Sequence, residues 1–271
     1  MLEKVGIDAG KAELEIILCS LLGVNRLNLY LNGETLLSDD IERQVLEIVK
    51  KRKTRYPLQY ILEESWFYGR KFFVSPAVMV PTPETEVLCE AAIGFINSQK
   101  IESPKILDIG AGSGIISVTV AKELDDAEVL AVDISEAALD VTRKNAADLG
   151  AEDKISFRHS NLFENIYSSE KFDLILSNPP YISEEEYKSL PPEVLADPKI
   201  SLTSGEEGLD VITDIIQQAP DYLMPGGKIM FEIGCNQAER VMKISERHSR
   251  YQSIVILKDL NDIDRVAILS L

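Results

Sequence analysis

Cationic side chains are scarce in this sequence: 28 lysines and arginines stand against 45 aspartates and glutamates, a formal net charge of −17 over 271 residues. A surface that acidic repels phosphate backbones unless its cations cluster, so duplex DNA is not expected as a direct partner. The one short basic run is Lys50, Lys51, Arg52, Lys53 and Arg55. It can face a tRNA-like or acidic partner, but it reads first as a solvated helix end whose cations complement the helix dipole.

Cysteine is equally sparse. Cys19, Cys89 and Cys235 are far apart and odd in number, which excludes a disulfide framework and a cysteine-based metal site and points to small core residues in a reducing compartment. No metal is expected. The only two histidines, His159 and His248, fall outside every motif. No apolar run approaches the roughly 20 residues that span a bilayer, and no charged-then-apolar signal segment opens the chain; a cytoplasmic protein without membrane contact is expected. What remains, with 45% hydrophobic and 27% charged residues, is the composition of a packed globular enzyme, long enough for two unequal domains.

Leu14, Ile17, Leu18 and Leu21 recur at helical spacing before Gly23, and Ile41, Val45, Ile48, Val49 and Arg52 repeat the pattern after Ser38, so the first sixty residues read as a small helical domain. The aromatic stretch Trp66 to Val74, with Gly69 inside it, reads as a linking β-hairpin. Thr82, Pro83, Glu84 and Glu86 have the form of a helix start with Thr82 as N-cap, the helix running to about Asn97. Short β-rich runs then alternate with helical patterns: 105–109, 129–133, 154–157, 172–177, 228–233, 253–257 and 265–269. That series predicts an α/β fold with a mainly parallel sheet covered by helices. The expected division is 1–75, helical domain with hairpin linker, and 76–271, catalytic domain.

Leu107-Asp-Ile-Gly110-Ala111-Gly112-Ser113-Gly114 ends one of these strands and opens a helix. Glycines there permit a tight turn and close backbone approach to a nucleotide-like ligand. The spacing is G-x-G-x-G rather than the dinucleotide G-x-G-x-x-G, and Asp133, at the end of the next strand, can reach ribose hydroxyls. Taken alone, this pair fits an NAD enzyme nearly as well.

Asn178-Pro179-Pro180-Tyr181 follows directly on the strand Phe172 to Ser177. Two prolines remove two backbone donors and stiffen the chain, so the Asn178 carboxamide oxygen and the Pro179 carbonyl can converge as acceptors on one NH2 group, with Tyr181 supplying a flat face. An amide nitrogen is a poor nucleophile because its lone pair is delocalised. A site that methylates it must fix it against the electrophile and drain its developing positive charge. Two carbonyl acceptors do both without a resident base.

From Leu107 to Tyr181 the chain resembles the class I S-adenosylmethionine-dependent methyltransferases, whose seven-stranded sheet is Rossmann-like; Asn-Pro-Pro-Tyr marks their branch that modifies amino and amide nitrogens. Arg55 to Ile61, Trp66 to Val74 and Val80-Pro-Thr-Pro-Glu-Thr-Glu86 resemble the family that methylates the glutamine of the Gly-Gly-Gln motif in peptide chain release factors. Pro192-Glu-Val194, Asp197-Pro198, Gly205 to Asp210, Pro225 to Gly227, and Phe231-Glu-Ile-Gly234 with Gln237 continue the similarity in order. The resemblance implies S-adenosylmethionine as cofactor, with Gly110 to Gly114 on its methionine part, Asp133 on its ribose, the Asn161-Leu162 region on its adenine, and Asn178 beside it. It implies that Asn178, Pro179, Pro180 and Tyr181 hold the substrate glutamine and that the N-terminal helices recognise the release factor; a monomer is expected. Two departures stand out: Thr82 replaces the family's usual arginine, and Asn161 its usual aspartate. A glutamine methyltransferase of a ribosomal protein, an adenine-N6 nucleic-acid methyltransferase and a non-catalytic cofactor-binding protein are the alternatives.

Overall fold

The computed structural model describes residues 2 and 5–271. The chain divides into two compact units. One comprises the residues up to Glu64 together with Pro191–Ala196; the other runs from Ser65 to Leu190 and from Asp197 to Leu271.

The first unit is helical: α1 (Gly10–Leu22), α2 (Arg26–Leu31), α3 (Asp39–Arg52) and α4 (Leu58–Leu62). α1 stops at Gly23, which adopts a φ of +64° that a side chain would strain. α3 starts on Ser38, whose hydroxyl accepts from the Ile41 N–H at 3.3 Å, with Asp39, Asp40 and Glu42 in its first turn. The basic run at its other end is split, and only part of it is the solvated helix end that was expected. Lys50, Lys51 and Lys53 are exposed, whereas Arg52 is 6% exposed. Its Nε lies 2.9 Å from Glu13 Oε2 and its Nη1 2.9 Å from Glu193 Oε1, while Arg55 Nε is 2.6 Å from that same Glu193 oxygen. A planar guanidinium can bind two carboxylates at once, and this pairing draws the arginines inward.

The second unit opens within the hairpin of β1 (Glu64–Phe67), whose first residue belongs to the helical unit, and β2 (Arg70–Phe73). Tyr68 and Gly69 at its tip have φ of +49° and +72°, the left-handed pair that a tight two-residue turn requires. A 3₁₀ turn over Pro83–Thr85 leads into α5 (Glu86–Gln99). Thr82 is extended and makes no side-chain capping bond, contrary to the expected N-cap; instead the Thr85 N–H bonds the Thr82 carbonyl at 3.3 Å, closing the tighter 3₁₀ turn.

Strands and helices then alternate: β3 (Lys105–Ile109), α6 (Ile115–Glu123), β4 (Glu128–Asp133), α7 (Glu136–Asp148), β5 (Ile155–His159), β6 (Phe172–Ser177), the short α8 (Glu184–Tyr187), α9 (Asp210–Gln218), β7 (Leu223–Glu232), α10 (Ala238–Glu246), β8 (Ser253–Lys258) and β9 (Asp264–Ser270). They form the expected sheet of seven strands in the order β5-β4-β3-β6-β7-β9-β8. Pairing is parallel from β5 to β7, and β9 is antiparallel to both β7 and β8. β3, β4 and β6 are buried along almost their whole length, as strands covered by helices on both faces must be. The chain order reverses between β3 and β6, and such a switch point opens a crevice at the carboxyl ends of the two strands.

Candidate active site

Both motifs singled out in the sequence emerge at that crevice. The loop Gly110 to Gly114 leaves β3, with φ of +75°, +58° and +80° at its three glycines. The Gly110 and Ala111 N–H groups both bond the Val132 carbonyl, at 2.8 and 3.0 Å. α7 holds the loop from the other side: Thr142 Oγ1 donates to the Gly112 carbonyl at 2.9 Å, and Asn145 Nδ2 to the Ser113 carbonyl at 2.8 Å. A β-carbon at Gly114 would stand 2.7 Å from Thr142 Cγ2, so close helix packing as well as backbone angle demands glycine there.

Asp133 closes β4. Its Oδ2 accepts from the Gly112 N–H at 2.9 Å and its Oδ1 from the Ser135 N–H at 2.8 Å. Each oxygen retains a further lone pair for a ligand. Burial pushes this carboxyl above its ordinary value, and the hydrogen bonds from Ser135 and Gly112 pull it back. Beneath the loop, Asp108 is fully buried. Its Oδ2 takes the Ser117 N–H and hydroxyl at 3.0 and 2.5 Å, and its Oδ1 has no partner among the described residues. Burial pushes Asp108 up to about 7.

A cavity of about 310 Å³ fills the crevice. Gly110, Ala111, Gly112, Ser113, Asp133, Asn161, Leu162, Asn178, Pro179 and Pro180 all line it. Gly114 and Tyr181 are not among its lining residues. Asn161 Nδ2 is engaged by Glu164 Oε1 at 2.9 Å, so the Asn161 carboxamide oxygen is its remaining acceptor. Val78, Met79 and Ile200 add apolar walls that no local motif announced.

Asn178 follows Ser177, the last residue of β6, which pairs with Phe231 of β7; Glu232 follows Phe231. The two side chains therefore leave adjacent parallel strands at one level. Between them stands Thr85, fully buried. Thr85 Oγ1 donates to Glu232 Oε2 at 2.7 Å and accepts from Asn178 Nδ2 at 3.0 Å. The Tyr181 hydroxyl donates to the other oxygen of Glu232, Oε1, at 3.1 Å. Burial and the neighbouring Glu232 push the Tyr181 phenol far up, keeping it a donor. No donor among the described residues reaches Asn178 Oδ1 or the Pro179 carbonyl. In the sequence, Thr85 and Glu232 carry no signal of a role beyond their places in motifs shared with a family. Among the described residues no group of three or more His, Cys, Asp or Glu could hold a metal, and no helix is long and apolar enough to cross a membrane.

Residues 93–207 match the methyltransferase small domain family, and residues 1–62 the PrmC N-terminal domain family. The release factor glutamine methyltransferase of Fusobacterium nucleatum subsp. nucleatum is 39% identical, over 98% of this chain and 75% of that protein. The chain belongs to the release factor glutamine methyltransferase family. Its relative of the same description from Geobacter sulfurreducens is 37% identical over 98% of this chain and 91% of that one. In fold, the chain is similar to the solved structure of a methyltransferase from Pyrococcus furiosus, at a TM-score of 0.55 and 16% identity, covering 86% of this chain and 98% of that one. A methyltransferase family supersedes the NAD enzyme that the glycine loop and Asp133 alone would also have fitted.

Proposed function

We propose that this protein transfers a methyl group from S-adenosylmethionine to the side-chain amide nitrogen of the glutamine in the Gly-Gly-Gln motif of a peptide chain release factor. The residues present suit that cofactor. The left-handed glycine turn exposes backbone at the cavity wall, Asp133 offers two half-occupied carboxylate oxygens for ribose hydroxyls, and Asn161 offers a carboxamide oxygen for an adenine amino group. Ala111 and Ser113 join the glycines around the methionine part.

When bound, S-adenosylmethionine supplies a methyl carbon on a sulfonium, which the amide nitrogen attacks as the carbon–sulfur bond breaks, leaving a thioether. Asn178 Oδ1 and the Pro179 carbonyl accept the two amide N–H groups. They aim the nitrogen at the methyl group and stabilise the positive charge that builds as its lone pair is withdrawn from resonance. Pro180 keeps the turn rigid, and Tyr181 holds its place through Glu232. The nitrogen's surplus proton leaves after methyl transfer, when it is strongly acidic, so no dedicated base is needed.

The observation that carries this reading is that Asn178 and Pro179 both line the cavity, that no donor among the described residues reaches Asn178 Oδ1 or the Pro179 carbonyl, and that the Asn178 NH2 is engaged by Thr85. The helical unit serves as the part that recognises the release factor, and the protein acts as a cytoplasmic monomer without binding DNA. The test is methyl transfer from labelled S-adenosylmethionine to a purified release factor, to its Gly-Gly-Gln glutamine-to-alanine variant, to ribosomal protein and to duplex DNA. Label on the intact factor alone is expected. Label on ribosomal protein or DNA instead moves the assignment to those substrates, and cofactor binding without label anywhere refutes catalysis.

A further inference from the structure

An asparagine presents nearly the same shape either way round, but its two ends have opposite hydrogen-bonding character. A clamp on an NH2 group works only if the carboxamide oxygen faces the substrate. With its nitrogen there, two N–H donors would oppose each other and the reacting amide would be expelled. Something in the fold must therefore choose, and Pro179 and Pro180, which have no N–H, cannot do it through the backbone.

We propose that Glu232 and Thr85 are positioning residues that set the polarity of the Asn178 carboxamide through a one-way hydrogen-bond relay. Burial pushes the Glu232 carboxyl above its ordinary value, while the hydrogen bonds from Thr85 and Tyr181 and the charge of Arg265 favour its ionised form; an ionised carboxylate only accepts. Thr85 has a single hydroxyl hydrogen and commits it to Glu232 Oε2 at 2.7 Å. The hydroxyl then meets Asn178 with lone pairs alone, so the group 3.0 Å away must be Nδ2, and Oδ1 is turned to the cavity. Thr85 and Glu232 are 0% and 1% exposed, so bulk solvent does not reach either side chain. The same carboxylate takes the Tyr181 hydroxyl on Oε1 at 3.1 Å, so one buried charge orients both polar ends of the Asn178-to-Tyr181 turn. Arg265, which Asp259 holds at 3.1 Å, and Glu84 are the further charges that act on Glu232.

This inference rests on the amide-methylating reading of the site, and its test separates the two. Thr85→Val keeps the shape and removes the relay. It is expected to lower kcat for release factor methylation roughly ten- to hundredfold, the cost of one mis-set hydrogen bond in a reacting site, with the affinity for S-adenosylmethionine by calorimetry unchanged. Thr85→Ser restores the hydroxyl and is expected to restore most of kcat. Independently of any substrate, proton exchange at the isotopically labelled Asn178 side-chain NH2 is expected to be slow in the wild type and Thr85→Ser and fast in Thr85→Val. If the wild type methylates no release factor, the substrate reading falls while the exchange comparison still decides the relay. Equal exchange in the three proteins, wild-type kcat in Thr85→Val, or a Thr85→Ser protein as slow as Thr85→Val would each overturn the relay.

Discussion

Gly208 lies directly behind the main-chain carbonyl of Tyr181: a β-carbon at 208 would stand 2.2 Å from that oxygen. Its φ of +71° independently favours glycine. Gln237 completes the clasp, its Nε2 donating to the Tyr181 carbonyl at 2.8 Å and to the Gly208 carbonyl at 3.1 Å. Gly208→Ala must therefore push the Asn178-to-Tyr181 turn toward the cavity or break this clasp. The expected result is a loss of kcat that exceeds any loss of cofactor affinity, with about 1–3 kcal/mol of destabilisation, measured by steady-state kinetics beside denaturant melts.

Removing the ribose acceptor acts on the other half of the site. Asp133→Ala deletes both oxygens that receive the Gly112 and Ser135 N–H groups, leaving those donors and the ribose diol without their charged partner. Affinity for S-adenosylmethionine is expected to fall roughly tenfold or more, since hydrogen bonds to a charged group are worth about 1.5–3 kcal/mol each. Calorimetry with S-adenosylhomocysteine measures it.

Asp108 provides a pH signature. Its carboxyl sits at about 7 in the folded protein, against an ordinary value of 3.8, because burial disfavours the charged form. Between those values the folded state holds a proton that the unfolded state has lost, so this group makes stability fall as pH rises from about 4 to about 7 and adds no further slope above that. Asp108→Asn keeps an acceptor for Ser117 and cannot ionise. Its stability relative to the wild type is expected to improve across that window, by on the order of 4 kcal/mol in total, and to level off above it. Urea midpoints at a series of pH values read the trend; a difference independent of pH would rule out a buried, titrating Asp108.

Arg52 joins Glu13 of α1 to Glu193 of the later segment Pro191–Ala196. Arg52→Ala leaves the partly buried Glu13 without its ion-pair partner and Glu193 held by Arg55 alone, and removing one partner of a buried pair costs up to about 3–5 kcal/mol. The helical unit is expected to unfold at distinctly lower denaturant. Arg52→Lys recovers little, because a point charge cannot hold both carboxylates bidentately.

What the sequence made legible and what it hid follow one physical division. All seven strands of the sheet announced themselves as short β-rich runs, and the glycine loop, Asp133 and Asn178-to-Pro180 announced themselves by residue type and by their place at strand ends. Those signals are local. The Thr85–Glu232 hydrogen bond joins residues 147 apart, and the Asn178–Thr85 bond residues 93 apart; no periodicity or spacing predicts such partners. The Arg52–Glu193 pair spans 141 positions, which is why α3's basic end read as wholly solvated. Thr82 misled for a local reason: the capping pattern was present, but Pro83 opens a 3₁₀ turn in which the Thr82 hydroxyl has no role.

The measurement that bears most directly on the account is tandem mass spectrometry of the Gly-Gly-Gln peptide, taken from a release factor incubated with this protein and S-adenosylmethionine. One added methyl on the glutamine side-chain nitrogen, absent when Asn178→Ala replaces the wild type, is the predicted result. An unmodified glutamine with wild-type enzyme that binds the cofactor, or a methyl group carried on any other atom of the peptide, would contradict it.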